Sequence, residues 1–310
     1  MPEGPEVRRY ADQLDRALGD RAIVELTART KIAKQWLQSN PNALPGRKVL
    51  RVSSHGKNLI GWIENEYYFY SHLMMWGRWT TFEGDPPQDV DRRERARIVT
   101  AHGGVILLSA PVFQIGHGDP YADIELLRSL GSDILPESGM FDAANFRARL
   151  LAPAQLERTI GAVLLDQSIV AGIGNYLRAE ILFECKLDPW RRVDQLTEPD
   201  LNALEVQIPR VARRAYETGG ITVSDEIRTQ MLSDSTLVYR LGSDFGSRHF
   251  VFRRTNLPCL RCGTAIRQQK QTIRADDEGE KTRIIYFCPV CQKVSIELKP
   301  RRKLAAQPNS

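Results

Sequence analysis

Two Cys-x-x-Cys pairs near the C-terminus constrain the fold of this chain more than any other feature. Cys259 and Cys262 form the first pair, Cys288 and Cys291 form the second, and 25 residues separate them. Two such turns on a β-hairpin can supply four thiolates to one tetrahedral zinc ion, which leaves no position for water. The spacing therefore predicts one structural zinc ion per chain, with a pair of redox thiols as the alternative.

The composition is that of an ordinary globular chain. Of the 310 residues, 42% are hydrophobic and 26% are charged, which excludes a disordered or fibrous protein, and the length predicts two lobes. The longest uncharged stretch, residues 98–118, is interrupted by glycines, a proline and two histidines, so we expect no membrane span. The acidic N-terminus is unlike a signal peptide, so we expect a cytoplasmic protein in which metal binding is favoured over disulfide bonds.

Basic residues are concentrated at the C-terminal end. Residues 247–310 contain 14 Lys and Arg against 5 Asp and Glu, although the whole chain has a net charge of only +5. Such a patch suits a polyanion such as nucleic acid, and a merely soluble basic tail is the alternative. We expect residues 296–310 to form a basic, disordered tail.

The spacing of apolar residues changes along the chain. After a helix over residues 5–18, short runs of β-branched and aromatic residues continue to residue 109, which predicts an antiparallel sandwich or barrel. Helical periods follow, and strands return between the cysteine pairs. The predicted helices after residue 119 are 122–130, 142–151, 156–166, 175–184 and 200–217. We therefore expect an α+β fold with a β domain (1–130), a helical domain (131–255), a zinc finger (256–295) and the tail (296–310).

The N-terminus carries an unusual chemical group. Removal of Met1 ahead of the small Pro2 would expose a secondary amine beside the carboxylate of Glu3. A free α-amine has a pKa of about 8, and a nearby helix N-terminus disfavours its cationic form. An unprotonated amine beside a proton shuttle can form a Schiff base. A flexible terminus without chemistry is the alternative.

Five segments together resemble the formamidopyrimidine-DNA glycosylase and endonuclease VIII family. They occur in the family's order over nearly the whole chain and are Met-Pro-Glu-Gly-Pro-Glu-Val-Arg-Arg, His55-Gly56-Lys57, Tyr70-Ser71-His72, Gly172-Ile173-Gly174-Asn175-Tyr176 and the four-cysteine finger. The resemblance implies an N-terminal two-layered β-sandwich with flanking helices, followed by a helix-two-turn-helix domain and a β-hairpin zinc finger. It implies damaged DNA as the partner, bound between the lobes by a monomer that is associated with the nucleoid in a bacterium.

The implied activity is that of a bifunctional DNA glycosylase and abasic-site lyase in base excision repair. By the resemblance, Pro2 attacks C1′ of an extruded nucleotide, and the resulting imine leads to β,δ-elimination. Glu3 shuttles protons, and Glu6 supports the catalytic pocket. Without the resemblance, Glu6 is interpreted as an ordinary charge in the first turn of a helix.

The resemblance also implies three contacts to DNA phosphates. Lys57 and Asn175 are expected to bind phosphates around the lesion, and Arg283 is expected to grip a phosphate and promote elimination; Lys57 and Arg283 thereby belong to the catalytic set. The glycine turn before Asn175 can itself present N–H groups to a phosphate, although glycines between helices also serve close packing. The alternative for Lys57 is a solvated strand residue.

Extrusion of a nucleotide leaves a gap that side chains fill. Met74, Met75 and Trp76 lie where the family carries these wedges, and core packing is their alternative. The loop at residues 109–113 lacks the Asp-Pro-Arg-Arg-Phe run with which the 8-oxoguanine branch probes the opposite base, and Gly4 resembles endonuclease VIII. Oxidised pyrimidines are therefore the expected substrates. The alternatives are an 8-oxoguanine or formamidopyrimidine preference and a non-catalytic zinc-finger DNA-binding protein.

Overall fold

The computed structural model describes residues 2–89, 91–243, 246–276 and 279–296. Its N-terminal lobe combines strands with two helices, α1 (Gly4–Leu18) and α2 (Lys31–Ser39). The strands are β1 (Arg21–Ala28), β2 (Lys48–His55), β3 (Asn58–Ile63), β4 (Tyr67–His72), β5 (Arg78–Glu83), β6 (Glu94–Thr100), β7 (Gly103–Leu108) and β8 (Val112–His117). They pair in the order β5-β7-β6-β1-β2-β3-β4-β8, and all neighbours are antiparallel.

The eight strands form two layers because β1 takes part in both. Its first two residues pair with β2, and from Ile23 onward, with a bulge between Ile23 and Glu25, the strand pairs with β6. Trp79 of β5 consequently packs near Phe69 of β4, with ring centroids 6.1 Å apart, although these strands are distant in the strand order. The indole N–H of Trp79 also donates a hydrogen bond to Ser71 on β4, over 3.2 Å. The predicted two-layered β-sandwich is confirmed.

Helix α1 packs its apolar stripe on this sandwich. Val7, Ala11, Leu14 and Leu18 are buried at helical spacing, and the helix lies mainly against β2. Pro5 occupies the first turn, where the missing N–H has no partner to lose. The start of α1 is thus fixed at Gly4, one residue after Glu3.

The second lobe is mainly helical. Helices α3 (Pro120–Asp123) and α4 (Glu125–Arg128) follow β8 and pack on the sandwich, and the helices of the second lobe are α5 (Ala143–Leu150), α6 (Ile160–Val163), α7 (Asn175–Glu184), α8 (Glu198–Thr218) and α9 (Asp225–Ser233). Two short parallel strands, β9 (Ser132–Asp133) and β10 (Val170–Ala171), lie before α7. Helix α7 is buried at every position from Tyr176 to Phe183, since it packs between α8 and the C-terminal hairpin. That hairpin consists of β11 (Arg267–Asp276) and β12 (Gly279–Phe287).

Several predicted elements differ from the structure. The helix expected over 122–130 is split into α3 and α4, and of the helix expected over 156–166 only α6 is α-helical. Helix α2 is missed although Ala33, Trp36 and Leu37 form an apolar stripe that packs on the sandwich core, because the helix is only nine residues long and interrupts the run of strands. The expected tail lies outside the described residues from 297 onward. Within the described ranges, no helix has both the length and the apolarity that crossing a bilayer requires.

Candidate active site and DNA-binding face

The side chain of Glu3 joins the two lobes. Glu3 is the N-cap residue of α1, yet its carboxylate accepts hydrogen bonds from the start of α7: Gly174 N–H at 2.8 Å, Tyr176 N–H at 2.9 Å and Leu177 N–H at 3.2 Å. These are the N–H groups that a helix N-terminus leaves without partners. A Cβ at Gly174 would lie 2.3 Å from the Glu3 carboxyl carbon, so glycine is required there. The N-terminus of α7 therefore forms a binding site for the Glu3 carboxylate.

Burial controls the protonation of Glu3, whose side chain lies between the lobes and is only 4% exposed. Desolvation raises the pKa of Glu3 to about 7, against the opposing effects of the Lys57 charge and the backbone N–H donors. A carboxyl group with this pKa can both give and take a proton near neutral pH. Glu3 therefore has the properties of a general acid and base.

Pro2, which precedes Glu3 in the chain, is the first residue that the structure describes. Pro2 is half-buried, and the N–H of Gly4 donates to the carbonyl of Gly172 over 2.9 Å, which ties the N-terminal segment to the glycine turn of the second lobe. Met1 lies outside the described residues. The terminus is accordingly held against the second lobe, which disagrees with the alternative of a flexible end.

The side chain of Lys57 extends from the turn between β2 and β3 to the glycine turn that precedes α7. Its ammonium group donates a hydrogen bond of 2.6 Å to the carbonyl of Ile173, and burial lowers the pKa of Lys57 while the Glu3 charge raises it. Gly56 has φ +58, and a Cβ there would lie 2.7 Å from the Gly172 nitrogen. The two glycine-containing motifs thus pack directly on each other. The interpretation of Lys57 as a solvated strand residue is wrong, because its head group faces the second lobe.

Glu6 is also more than a first-turn charge. Its carboxylate accepts the backbone N–H of Glu3 at 2.8 Å and the hydroxyl of Tyr176 at 3.0 Å, and burial raises the pKa of Glu6. The Tyr176 ring in turn stacks on His249, with centroids 5.2 Å apart. Glu6 therefore fixes the backbone at Glu3 from one side and α7 from the other.

Asn175 and Arg283 are brought together by a residue that the sequence analysis missed. The fully buried Arg178 donates to the Asn175 side-chain oxygen at 3.4 Å and to the Ile284 carbonyl at 2.8 Å, which joins α7 to β12 next to the exposed Arg283. Burial, with the nearby Arg283 charge, lowers the pKa of Arg178 to about 9. The available signal was an arginine on a helix that is otherwise mostly apolar between Tyr176 and Phe183, with Glu180 as the other charged residue there.

The four predicted metal-binding cysteines converge at the base of the hairpin. Their sulfur atoms all lie within 4.8 Å of one another, with Cys259 Sγ and Cys291 Sγ at 3.8 Å and Cys262 Sγ and Cys288 Sγ at 3.5 Å. Tetrahedral zinc with Zn–S bonds of about 2.3 Å requires sulfur atoms roughly 3.8 Å apart. The four sulfur atoms therefore fit one zinc ion.

The fifth cysteine behaves as a packing residue. Cys185, at the end of α7, is partly buried against the helical core, and burial raises the pKa of its thiol to about 12. A thiol with so high a pKa forms little thiolate, which is the reactive species. Cys185 is not suited to act as a nucleophile.

The three wedge candidates project from the turn between β4 and β5. Met74 is 47% exposed, Met75 55% and Trp76 78%, so the alternative of core packing is wrong for all three. The loop at 109–113 is different, because Ala110 and Phe113 are buried in the sandwich core. One loop therefore presents large apolar groups to solvent, and the other does not.

Comparison with known proteins agrees with this architecture. The model of the formamidopyrimidine-DNA glycosylase N-terminal domain matches residues 1–110, and that of the formamidopyrimidine-DNA glycosylase H2TH domain matches residues 130–227. Endonuclease 8 of Enterobacter sp. (strain 638) is 31% identical over 293 residues, which are 94% of this chain and 100% of that protein. Endonuclease 8 of Salmonella schwarzengrund (strain CVM19633) is 33% identical over 294 residues, with the same coverage.

Solved structures share the fold. Lactococcus lactis Fpg (MutM), in complex with DNA that contains N7-benzyl-Fapy-dG, has a TM-score of 0.72 at 24% identity, over 94% of this chain and 100% of that one. The same protein bound to DNA with an abasic site gives a TM-score of 0.71 at 23% identity. Together with the domain models and the relatives, this shows that the chain belongs to the formamidopyrimidine-DNA glycosylase and endonuclease VIII family of DNA glycosylases and abasic-site lyases.

Proposed function

We propose that this protein excises oxidised pyrimidines from DNA through a Schiff base on Pro2 and then cleaves the strand by β,δ-elimination. The observation that carries the proposal is the Glu3 carboxyl group, which is held by three backbone N–H groups of α7 next to Pro2 and has a pKa of about 7. A proton donor and acceptor beside a terminal amine is the arrangement that imine chemistry requires.

The steps follow from these two groups once Met1 has been removed. Protonated Glu3 donates a proton to the ring oxygen and the C1′–O4′ bond opens, after which the lone pair of the Pro2 nitrogen forms a bond to C1′. The proton of the resulting ammonium passes to the base, the bond from C1′ to the base breaks with its electron pair leaving on the base, and the restored nitrogen lone pair completes an iminium. Loss of a C2′ proton expels the 3′ phosphate, and a second elimination expels the 5′ phosphate.

The remaining candidates bind the DNA around this centre. Lys57 and Asn175 lie beside Glu3 and bind phosphates next to the lesion, while Arg283 on β12 holds a phosphate that leaves during elimination. Met74, Met75 and Trp76 fill the gap in the base stack, which their exposure supports.

The four cysteines hold a structural zinc ion that fixes the base of the hairpin and so positions Arg283. Cys288→Ser is expected to release zinc and weaken DNA binding, because loss of one ligand opens the tetrahedral site. Arg283→Ala is expected to keep zinc and the fold but to lower strand cleavage. Metal analysis of both variants, with duplex affinity and cleavage rates, checks this. A wild-type protein that is fully active without bound metal would contradict the role of zinc.

Substrate preference provides the test of the proposed function. Single-turnover excision is expected to be faster for thymine glycol or dihydrouracil than for 8-oxoguanine opposite cytosine. The loop at 109–113 carries Ala110, Pro111 and Val112 instead of an arginine probe, and one such base contact contributes about 1 to 3 kcal/mol of discrimination. Borohydride trapping on the same duplexes reports the imine. Faster excision of 8-oxoguanine would assign the enzyme to the other branch, and no imine with any lesion would refute the mechanism.

A further inference from the structure

The peptide group between Ile173 and Gly174 is bonded to three side chains. Its carbonyl accepts hydrogen bonds from the Lys57 ammonium at 2.6 Å and from the Gln167 side-chain amide at 3.1 Å. Its N–H donates to the Glu3 carboxylate at 2.8 Å. The proton shuttle, the buried lysine and Gln167 therefore meet at one planar group.

The side-chain amide of Gln167 has a partner for each of its donors. Gln167 is half-buried in the turn between α6 and β10. Its Nε2 donates to the carbonyls of Ile173 and Leu165, the latter at 3.0 Å, and its Oε1 accepts the N–H of Gly172 at 3.0 Å. A carbonyl only accepts and a backbone N–H only donates, so these partners allow one orientation of the amide.

The turn that carries Gln167 is itself held from several sides. The Gln167 carbonyl accepts the N–H of Gly131 at 2.9 Å. The neighbouring Asp166 carboxylate accepts the N–H of Ser168 at 3.1 Å and its hydroxyl at 2.6 Å, and it forms an ion pair of 2.8 Å with Arg158. The Gln167 amide therefore acts from a fixed support.

The peptide group needs such a hold, because glycine at residue 174 gives it rotational freedom. The group is planar and moves as one unit, and its reversal changes ψ of Ile173 and φ of Gly174, which glycine tolerates. Reversal would direct the carbonyl oxygen at the Glu3 carboxylate and the N–H at the Lys57 ammonium, which are repulsive pairings. The Gln167 bond to the carbonyl favours the orientation that serves both groups.

The position of the Lys57 ammonium matters for the protonation of Glu3. The charged groups that face Glu3 are Lys57 from the turn between β2 and β3, Glu6 from α1 and Arg178 from α7. The Lys57 charge lowers the pKa of Glu3, and the Glu6 charge raises it. An ammonium has three donors, so Lys57 can keep its bond to the Ile173 carbonyl while it contacts a phosphate.

We propose that Gln167 is a positioning residue for base release, because it fixes the peptide group that joins Ile173 to Gly174. The fixed carbonyl retains the Lys57 ammonium, and the fixed N–H retains the Glu3 carboxyl group. The inference rests on the proposed function for the roles of Glu3 and Lys57. Gln167 acts through this peptide group and not by contact with the reacting atoms.

Gln167→Met tests the proposal, since methionine has a similar length and lacks all three hydrogen bonds. Single-turnover base release is expected to slow about tenfold, the effect of losing one buried hydrogen bond. The pH at which base release declines is expected to move upward, because a displaced ammonium lowers the pKa of Glu3 less. General loss of stability would lower the melting temperature without this shift. Gln38→Met, at an exposed position of α2, is the matched control and is expected to retain the wild-type rate and pH profile.

Gln167→Glu is the second variant, because its carboxylate keeps the shape and the bond from the Gly172 N–H but has no donor for the Ile173 carbonyl. Zinc content and melting temperature are expected to stay near those of the wild type, and base release is expected to slow. A folded Gln167→Glu protein with the wild-type rate would overturn the role of Gln167 and leave the Pro2 chemistry intact. A wild-type protein that releases bases but traps no imine would refute the Pro2 chemistry alone.

Discussion

Addition of one residue ahead of Pro2 is expected to abolish the borohydride-stable adduct with abasic-site DNA. The addition converts the terminal secondary amine into an amide, whose nitrogen lone pair is delocalised and does not attack C1′. Trapping with sodium borohydride, followed by denaturing electrophoresis, measures the adduct. The intact mass of the wild-type protein is expected to show the loss of Met1, since the amine is otherwise blocked.

The control for the extended protein is its affinity for an uncleavable abasic duplex. We expect this affinity to remain measurable, because Lys57, Asn175 and Arg283 are unchanged. An adduct at wild-type level would show that another amine attacks the DNA. The structure indicates Lys57 as this alternative nucleophile, because burial lowers its pKa and its ammonium group lies beside Glu3. Lys57→Ala in the extended protein would then remove the adduct.

Glu3→Gln is expected to slow base release by about 10² to 10⁴, the usual cost of losing a general acid or base. Cleavage at a preformed abasic site is expected to lose less, because the glycosidic bond is already broken. The carboxylate of Glu3 accepts hydrogen bonds from backbone N–H groups, whereas the side-chain NH₂ of glutamine would face those same donors. This mismatch can destabilise the fold, so the melting temperature is measured in parallel. Glu25→Gln, at an exposed position of β1, is the matched control. Equal losses on both substrates would contradict this division of roles.

The pH profile offers a second readout of Glu3. Burial raises the pKa of Glu3 to about 7, so the acid form, which the proposed mechanism uses to protonate the sugar oxygen, is lost as pH rises through that value. Base release by the wild type is expected to fall over this range, and Glu3→Gln is expected to lack this decline. The free energy of unfolding is expected to fall with rising pH as well, because the pKa of Glu3 in the folded protein lies above its ordinary value of 4.5. The contribution of Glu3 to stability is complete below about pH 4.5 and is lost as pH rises through about 7.

The elements with strong local patterns were predictable from the sequence. Helix α7 has the predicted bounds, and β3 and β4 lie within the predicted run of strands, because the residue types of each segment favour these elements locally. The cysteine cluster was predictable for a similar reason, since structural zinc sites commonly take their four thiolates from two Cys-x-x-Cys pairs. Strand β8 was missed because it follows Ala110-Pro111 directly, and α9 was missed because Met231 is its one buried residue.

The contacts that define the site were beyond local patterns. The carboxylate of Glu3 and its α7 donors are separated by 171 to 174 residues, and Lys57 and Ile173 by 116. Arg178 presented a different difficulty, because a charged side chain is almost never fully buried unless it has partners. Those partners, including the Ile284 carbonyl, are contributed by a strand 106 residues further along the chain. Spacing within one segment does not encode such pairs.

The Glu3 contact also determines at which stage of synthesis the N-terminus can reach its folded position. Synthesis proceeds from the N-terminus and domains fold as units, so the sandwich can form while the second lobe is still being translated. The donors for Glu3 are at residues 174, 176 and 177, and the hairpin that borders α7 is complete only at residue 287. The first residues to leave the ribosome are therefore among the last to reach their working geometry. A nascent or truncated chain that ends before α7 contains Pro2 and Glu3 but lacks the N–H groups that hold the Glu3 carboxylate.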